Sequence, residues 1–233
     1  MQLATRPWVE RGPVLEREAY QILESYGLSL RRHALTTSVK EAKDEARSMG
    51  FPVVLKVVSP QIIHKSDVGG VIIGIKNFRE LEVGFRRIAA LGARPGIVVC
   101  GVLVLKHVPA GHELIIGGLR DEEFGPVVMF GMVGVLVEVL KDGAFALAPV
   151  SHDEALGLIK TTAAGRVLQG LRGQEPADID GVAKIISTVS RIMVERPEIS
   201  EIDLNPVAAY PKECAILDAR ILLVSRESAQ SPS

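Results

Sequence analysis

The chain has 233 residues, 47% hydrophobic and 24% charged, with a formal net charge of −1. That is enough for one large domain or two lobes with a substantial core, and the near-neutral balance offers no broad basic face of the kind nucleic acid requires. Its two cysteines, Cys100 and Cys214, sit in apolar runs, the N-terminus lacks the apolar region of a signal peptide, and no apolar run approaches the roughly 20 residues that span a bilayer. The expectation is a cytoplasmic protein with reduced thiols and with neither a membrane nor a nucleic-acid partner.

From Pro13, PVLEREAYQILESYGL sets Leu15, Ala19, Ile22, Leu23 and Tyr26 on one helical face and stops at Gly27. LSLRRHAL is short and strand-like, and TSVKEAKDEARSMG repeats the helix design with a Thr/Ser start and a Gly stop. This alternation is an α/β pattern. Phe51 to Val58 and Val71 to Lys76 predict strands, and FRELEVGFRRIAALG predicts an amphipathic helix. GIVVCGVLVLKHV, HELIIGGLR, GPVVMFG and GVLVEVLKD then follow as strands between turn signals, which suggests a second lobe rich in antiparallel pairing. SHDEALGLIKTT and DIDGVAKIISTVSRIMVERP return to helix, SEIDLNP and CAILDARILL close the fold as strands, and SRESAQSPS is a polar tail. The expected organisation is one domain over residues 1–226, with lobes near 28–100 and 101–226, and a disordered tail at 227–233.

Between the Phe51 and Val71 strands the chain inserts a histidine, a lysine, a serine, an aspartate and a glycine pair. Glycine lets backbone N–H groups approach phosphate oxygens, so Ser66 to Gly70, with Asp67, Gly69 and Gly70 inside it, is a candidate phosphate cradle. The spacing does not fit a Walker loop. Lys56 interrupts an apolar strand; it either meets an anion such as a nucleotide phosphate or snorkels to water from a strand end. His64 and Lys65 precede the loop, where a histidine is either a surface residue or a phosphoryl contact.

A second constellation is EIDLNPVAAYPKECAILDAR. Asp203 and Asn205 are two apart and share a strand face, and Pro206 is expected to end the ladder. If the flanking strands pair as a hairpin, Asp218 joins them as a third hard oxygen ligand of the kind Mg²⁺ prefers; turn chemistry explains the same residues without a metal. Arg220, two residues from Asp218, is a candidate anion contact. Glu113 stands in an apolar run, where a solvent-facing strand edge accounts for it without further explanation.

These residues bring a family into view. GFPVVLKVVSPQIIHKSDVGGV, RDEEFGPVVMFG, VEVLKD, GLRG and EIDLNPV together resemble the ATP-grasp subunit or domain of the NDP-forming acyl-CoA synthetases, nearest the ADP-forming acetyl-CoA branch, over roughly Glu16 to Leu223. The resemblance implies an ATP-grasp fold of mixed α/β (α+β) character, two lobes clamping ATP or ADP. It implies that Lys56 contacts the nucleotide phosphates, with Lys65, Ser66, Asp67, Gly69 and Gly70 folded over them, and that Lys106, His107 and Val108 form the adenine hinge. Glu113 and Arg220 are carried with that nucleotide set. Asn205 and Asp218, then Asp203, correspond to the Mg²⁺ site. His64 takes the place of a phosphoryl-relaying histidine, the one catalytic residue expected in the chain. A CoA-binding α subunit would complete the enzyme in a heterotetramer. The sequence departs from the family at Met132 and Val133, where a glycine-rich turn is common, at Ala146 in place of an arginine, and at Leu105 and His107 in the hinge. Other readings are a degenerate or regulatory nucleotide-binding module, or a detached domain of a fused synthetase or protein acetyltransferase.

Overall fold

The computed structural model describes residues 14–62, 65–133, 143–170 and 175–224. His64, the GVLVEVLKD segment, most of GLRG and the 227–233 tail lie outside the described residues. The chain forms two compact units: Leu30–Ala110, and a second that joins the segment up to Ser29 to the chain from Gly111 onward. The first helix, α1 (Glu16–Ser25), belongs to the second unit.

In the Leu30–Ala110 unit, β1 (His33–Thr36), β2 (Val53–Val58), β3 (Val71–Ile75) and β4 (Gly101–Lys106) form a sheet in the order β1-β4-β2-β3. All its pairings are antiparallel. Helices α2 (Val39–Met49) and α3 (Phe78–Ala89) cover one face. Each starts on a side-chain cap: Ser38 Oγ, within the Thr/Ser start read from the sequence, accepts the Glu41 N–H at 3.2 Å, and Asn77 Oδ1 accepts the Glu80 N–H at 2.9 Å. Gly50, at φ 75°, ends α2. Ala42, Ala46, Leu81, Phe85 and Ile88 pack on Val53, Leu55, Val57, Val102 and Val104. Burying each large side chain stabilises the unit by about 1.5–3 kcal/mol. Because strand side chains alternate, β2 turns Val54, Lys56 and Val58 to the other face.

The second unit is built on β5 (His112–Asp121), β6 (Gly125–Met132), β7 (Ala144–Leu147), β8 (Ile199–Ala209), β9 (Cys214–Ile216) and β10 (Ala219–Leu223). Its order is β10-β8-β5-β6-β7, with β9 also paired to β8, and every pairing is antiparallel. Among the described residues three helices follow β7: α4 (His152–Lys160), α5 (Ala163–Leu168) and α6 (Ile179–Glu195). α4 opens with a capping box between Ser151 and Glu154. α6 buries Val182, Ile186, Val189, Ile192 and Met193 against β5, β6 and β8. A Cβ on Gly118 would stand 2.6 Å from Met193 Cγ and 3.2 Å from Val189 Cγ1, so glycine lets α6 lie close to β5. Ile202 and Val128, the cross-strand partners of Gly118, share that helix-covered face, as do their own partners Ile221 and Ala146.

Several elements differ from expectation. The antiparallel pairing expected of the second lobe is present there and also runs through the first sheet, where β1 pairs with β4 from the far end of the unit. β4 joins the first sheet, and the unit boundary falls at Ala110 rather than near 100. β7 and α5, both short, had no periodic signal long enough to read.

Candidate functional site

The sequence-predicted site residues fall in both units. In the Leu30–Ala110 unit, Lys56 is 5% exposed and pairs across the sheet with Val71 and Leu103, on the face opposite α2 and α3. A buried ammonium is retained where an anion can meet it. The turn that follows is tight: the Gly69 N–H donates to Ser66 O at 3.1 Å, the Gly70 N–H to Lys65 O at 2.7 Å, and the Gly70 carbonyl accepts the Val57 N–H at 2.8 Å. A Cβ on Gly70 would sit 2.5 Å from Val57 Cγ1, and Gly69 adopts φ 72°. The glycines therefore let the turn close and lie against β2. The Gly69 and Gly70 N–H groups are thus satisfied inside the turn. Asp67 is exposed in the same turn.

Lys106 is also placed differently. Its Nζ donates to Gly50 O at 3.0 Å and to Phe51 O at 3.4 Å, capping the C-terminal end of α2, where a cation is favoured. The His107 N–H donates to Pro52 O at 3.2 Å, and Val108 is half-buried. With the Lys106 N–H also held, by Arg32 O at 2.9 Å, a base contact at Lys106–Val108 would fall to the remaining main-chain groups. Such reading does not depend on the hinge side chains at Leu105 and His107.

In the second unit the hairpin expectation holds in register. β10 lies antiparallel to β8 with Arg220 opposite Asp203, and the Asn205 N–H donates to Asp218 O at 3.3 Å. Pro206 does not end the ladder. β8 runs on to Ala209, because the Pro206 carbonyl still accepts the Leu217 N–H at 3.0 Å and Val207 pairs with both Leu114 and Ile216. Against β5, three residue steps of β8 (Leu204 to Val207) match two (Ile116 to Leu114), which makes a bulge at Asn205–Pro206. Bulges re-aim side chains, and here one separates the β10 ladder from the β9 ladder at the candidate metal ligands.

Glu201, Asp203 and Asn205 alternate onto the face turned away from α6. Register carries that face across the sheet as one row: Arg220, Asp203, Gly117, Met129 and Phe145. Glu113, exposed and an even number of residues from Gly117 on β5, shares the face. The electrostatics there are acidic. Burial raises the Asp203 carboxyl above the usual range; Glu201 adds to the rise, Arg220 opposes it, and Asp218 adds a smaller rise. Asp203 Oδ1 and Arg220 Nε are buried without hydrogen-bond partners. The Asp218 Oδ1 accepts the Ala219 N–H at 3.0 Å.

Among the described residues no three His, Cys, Asp or Glu side chains gather as a metal-ligating group. The candidate donor set, on β8 and immediately before β10, is instead two carboxylates and one amide. Hard oxygens and an orphaned buried carboxylate oxygen beside further acids suit a small divalent cation. Glu201, which sequence reading passed over, was legible as the preceding member of the same E-x-D-x-N alternation. Ala146 sits opposite Val128 on the helix-covered face, so the lost arginine does not leave a gap in the Asp203 row. No helix among the described residues is long and apolar enough to cross a membrane.

Residues 9–223 match the ATP-grasp domain family, and the chain belongs to it. It is 43% identical over 216 residues to the acetate–CoA ligase (ADP-forming) I subunit beta of Pyrococcus furiosus, covering 92% of this chain and 93% of that one. It is 45% identical over 214 residues to acetate–CoA ligase (ADP-forming) I of Archaeoglobus fulgidus, covering 91% of this chain but 31% of that longer protein. Among solved structures, the dinucleotide-forming acetyl-coenzyme A synthetase 1 of Ca. Korarchaeum cryptofilum, in complex with coenzyme A, Ca-AMPCP and HgCl+, superposes with a TM-score of 0.86 at 45% identity, covering 91% of this chain and 93% of that chain. The same synthetase with coenzyme A and Mg-AMPPCP, its phosphohistidine segment pointing towards the nucleotide binding site, gives 0.79 at 44% identity with the same coverage.

Proposed function

We propose that this chain is the nucleotide- and Mg²⁺-binding part of an ADP-forming acyl-CoA synthetase. It would act with a CoA-binding partner to interconvert acyl-CoA, ADP and phosphate with the free acid, ATP and CoA. The observation that carries this reading is the Asp203, Asn205 and Asp218 set at the β8 bulge, in a chain 43% identical along nearly its whole length to a beta subunit of such an enzyme. The Archaeoglobus relative holds the equivalent region as about a third of a longer chain, so the CoA-binding part is compatible with either a separate subunit or a fused segment.

In this reading Lys56 binds and orients the nucleotide phosphates, Lys65 and Ser66 cover them from the glycine turn, and the main chain of Lys106–Val108 lies at the base. Asp203, Asn205 and Asp218 hold Mg²⁺, with Arg220 and Glu113 toward the nucleotide. Bound there, Mg²⁺ neutralises phosphate charge during transfer. His64 relays the phosphoryl group: its ring nitrogen forms a P–N bond as the bond to the donor breaks, and ADP oxygen then takes the group from it, giving ATP. The work of the protein is positioning and charge neutralisation.

The test is calorimetric titration of ADP with and without Mg²⁺ into the wild type, Asn205→Ala and Asp218→Ala. The expected result is Mg²⁺-dependent binding in the wild type that falls about tenfold or more in each folded variant. Equal Mg²⁺ dependence in all three proteins would remove these residues from the metal site.

A further inference from the structure

On the Leu30–Ala110 unit, a surface groove of about 540 Å³ runs between edge strand β3 and helix α3. Its apolar lining includes Ile72, Ile73, Val83 and Gly84. Ile73 is 70% exposed and Val83 63% exposed, uncommon values for side chains of this size standing together. Arg79 and Arg87 line the same groove from α3, one turn to either side of Val83. Neither has an ion-pair partner among the described residues, whereas Arg86 on the neighbouring face is held by Glu82 at 2.9 Å. The one carboxylate in the lining, Glu80, is engaged at the start of α3, where it accepts the Lys76 N–H at 2.8 Å and the Asn77 amide at 2.7 Å.

The groove reaches the glycine turn. Arg87 Nη2 lies 3.1 Å from where a Cβ of Gly69 would be, so the guanidinium rests over the turn that leads from the proposed phosphoryl-handling segment. The groove is not built for strand addition. β3 spends three residue steps (Ile72 to Ile75) against two of β2 (Leu55 to Val53), so it carries a bulge, with Gly74 at φ 74°. Bulges of this kind turn an edge away from further pairing. They also swing a side chain outward, as Ile73 is here.

Resting on the function proposed above, we propose that this groove docks an acidic segment of the CoA-binding partner, with an apolar side chain over Ile73 and Val83 and carboxylates or a phosphoryl group against Arg79 and Arg87. Two cations against one engaged carboxylate set the charge of the occupant, and the apolar floor sets its anchor. Arg87 then ties docking to the glycine turn, bringing the partner segment to the loop where phosphoryl transfer is proposed. A second copy of this chain and a free polyanion are the competing occupants.

The test uses the whole chain and the CoA-binding subunit from the same organism, immobilised, with affinity measured against salt. The variants are Arg79→Glu, Arg87→Glu and Ile73→Asp, and Arg94→Glu is the matched charge change away from the groove. All are exposed positions, so circular dichroism should match the wild type throughout, as should Mg-ADP binding in Arg79→Glu, Ile73→Asp and Arg94→Glu. The expected result is a loss of affinity of about tenfold or more for each groove variant and none for Arg94→Glu, with a shallower salt dependence in the arginine variants. Wild-type affinity in all three groove variants overturns the docking assignment while leaving the function proposed above standing. Absence of any binding by the wild type overturns that function, and the docking with it. Self-association at micromolar concentration that the groove variants abolish, without change in partner binding, assigns the surface to a second copy and overturns the proposal.

Discussion

Separate replacement of Gly117 and Gly118 by alanine tests which sheet face carries the site. The two glycines are adjacent on β5, so their side-chain positions point to opposite faces. A Cβ at Gly117 would meet Ile202 O at 3.4 Å and Met129 Cβ at 3.9 Å, ordinary contacts, whereas at Gly118 it would meet Met193 Cγ at 2.6 Å. Alanine in a strand interior gains about 0.5–1 kcal/mol over glycine through the unfolded chain. At Gly117 that gain should stand, raising the melting temperature by about 1–4 °C at ~2–4 °C per kcal/mol for a chain of this length. At Gly118 overpacking against α6 costs about 1–3 kcal/mol and offsets that gain, leaving a net loss of up to roughly 2.5 kcal/mol and a fall of up to about 10 °C. Met193 can swing aside, but Val189 Cγ1 at 3.2 Å cannot. Thermal unfolding by circular dichroism reads both. The Gly117 methyl also enters the row between Asp203 and Met129, so that variant should be stable yet weaker for Mg-ADP. Equal destabilisation at the two positions would refute the face assignment, and with it the placing of Asp203 away from α6.

Other outcomes follow from the same geometry. Because the Asp203 carboxyl is raised in the folded state, its favourable contribution is present below its unfolded value of about 3.9 and is lost as pH rises through the folded value. Asp203→Asn should then melt higher than the wild type near pH ~7 but not near pH ~3, while Mg²⁺ should stabilise the wild type more than the variant; a lower melting temperature for Asp203→Asn near neutrality would contradict this. Lys106→Met keeps the aliphatic stem and removes the α2 cap, with an expected loss of about 1 kcal/mol in denaturant titration; a collapse of nucleotide affinity in the folded variant would put the ammonium back at the nucleotide. Burial, followed by Asp178 and Glu213, pushes the Cys214 thiol up to about 12, and Cys100 is exposed. Iodoacetamide near pH ~8 should therefore label Cys100 and spare Cys214 in the native protein, and equal labelling would show the Cys214 environment to be open.

Much of this was legible in the sequence where a local signal is strong. The Thr/Ser pair ending in Ser38 marks a helix start, Gly50 a helix stop, and the Asp203/Asn205 spacing a shared strand face. What was not legible depends on partners distant in the chain. The bulge at Asn205–Pro206 is defined by register against β5, some ninety residues earlier, and nothing local to Pro206 announces that the strand continues. Lys106 reads as a hinge residue until Gly50 O is found beside its ammonium. The glycine pair signalled flexibility correctly, but its use, closing a turn onto Val57, comes from packing against a strand that only the fold places there.

The most direct measurement is incubation of the chain with γ-³²P-ATP and Mg²⁺, with and without its CoA-binding partner, followed by assay of acid-labile, base-stable label on the wild type and on His64→Ala. The account predicts label on the wild-type chain that is absent from His64→Ala, with Mg-ADP affinity equal in the two proteins. Equal label on both, or none on the wild type despite nucleotide binding and a turning-over complex, would contradict it.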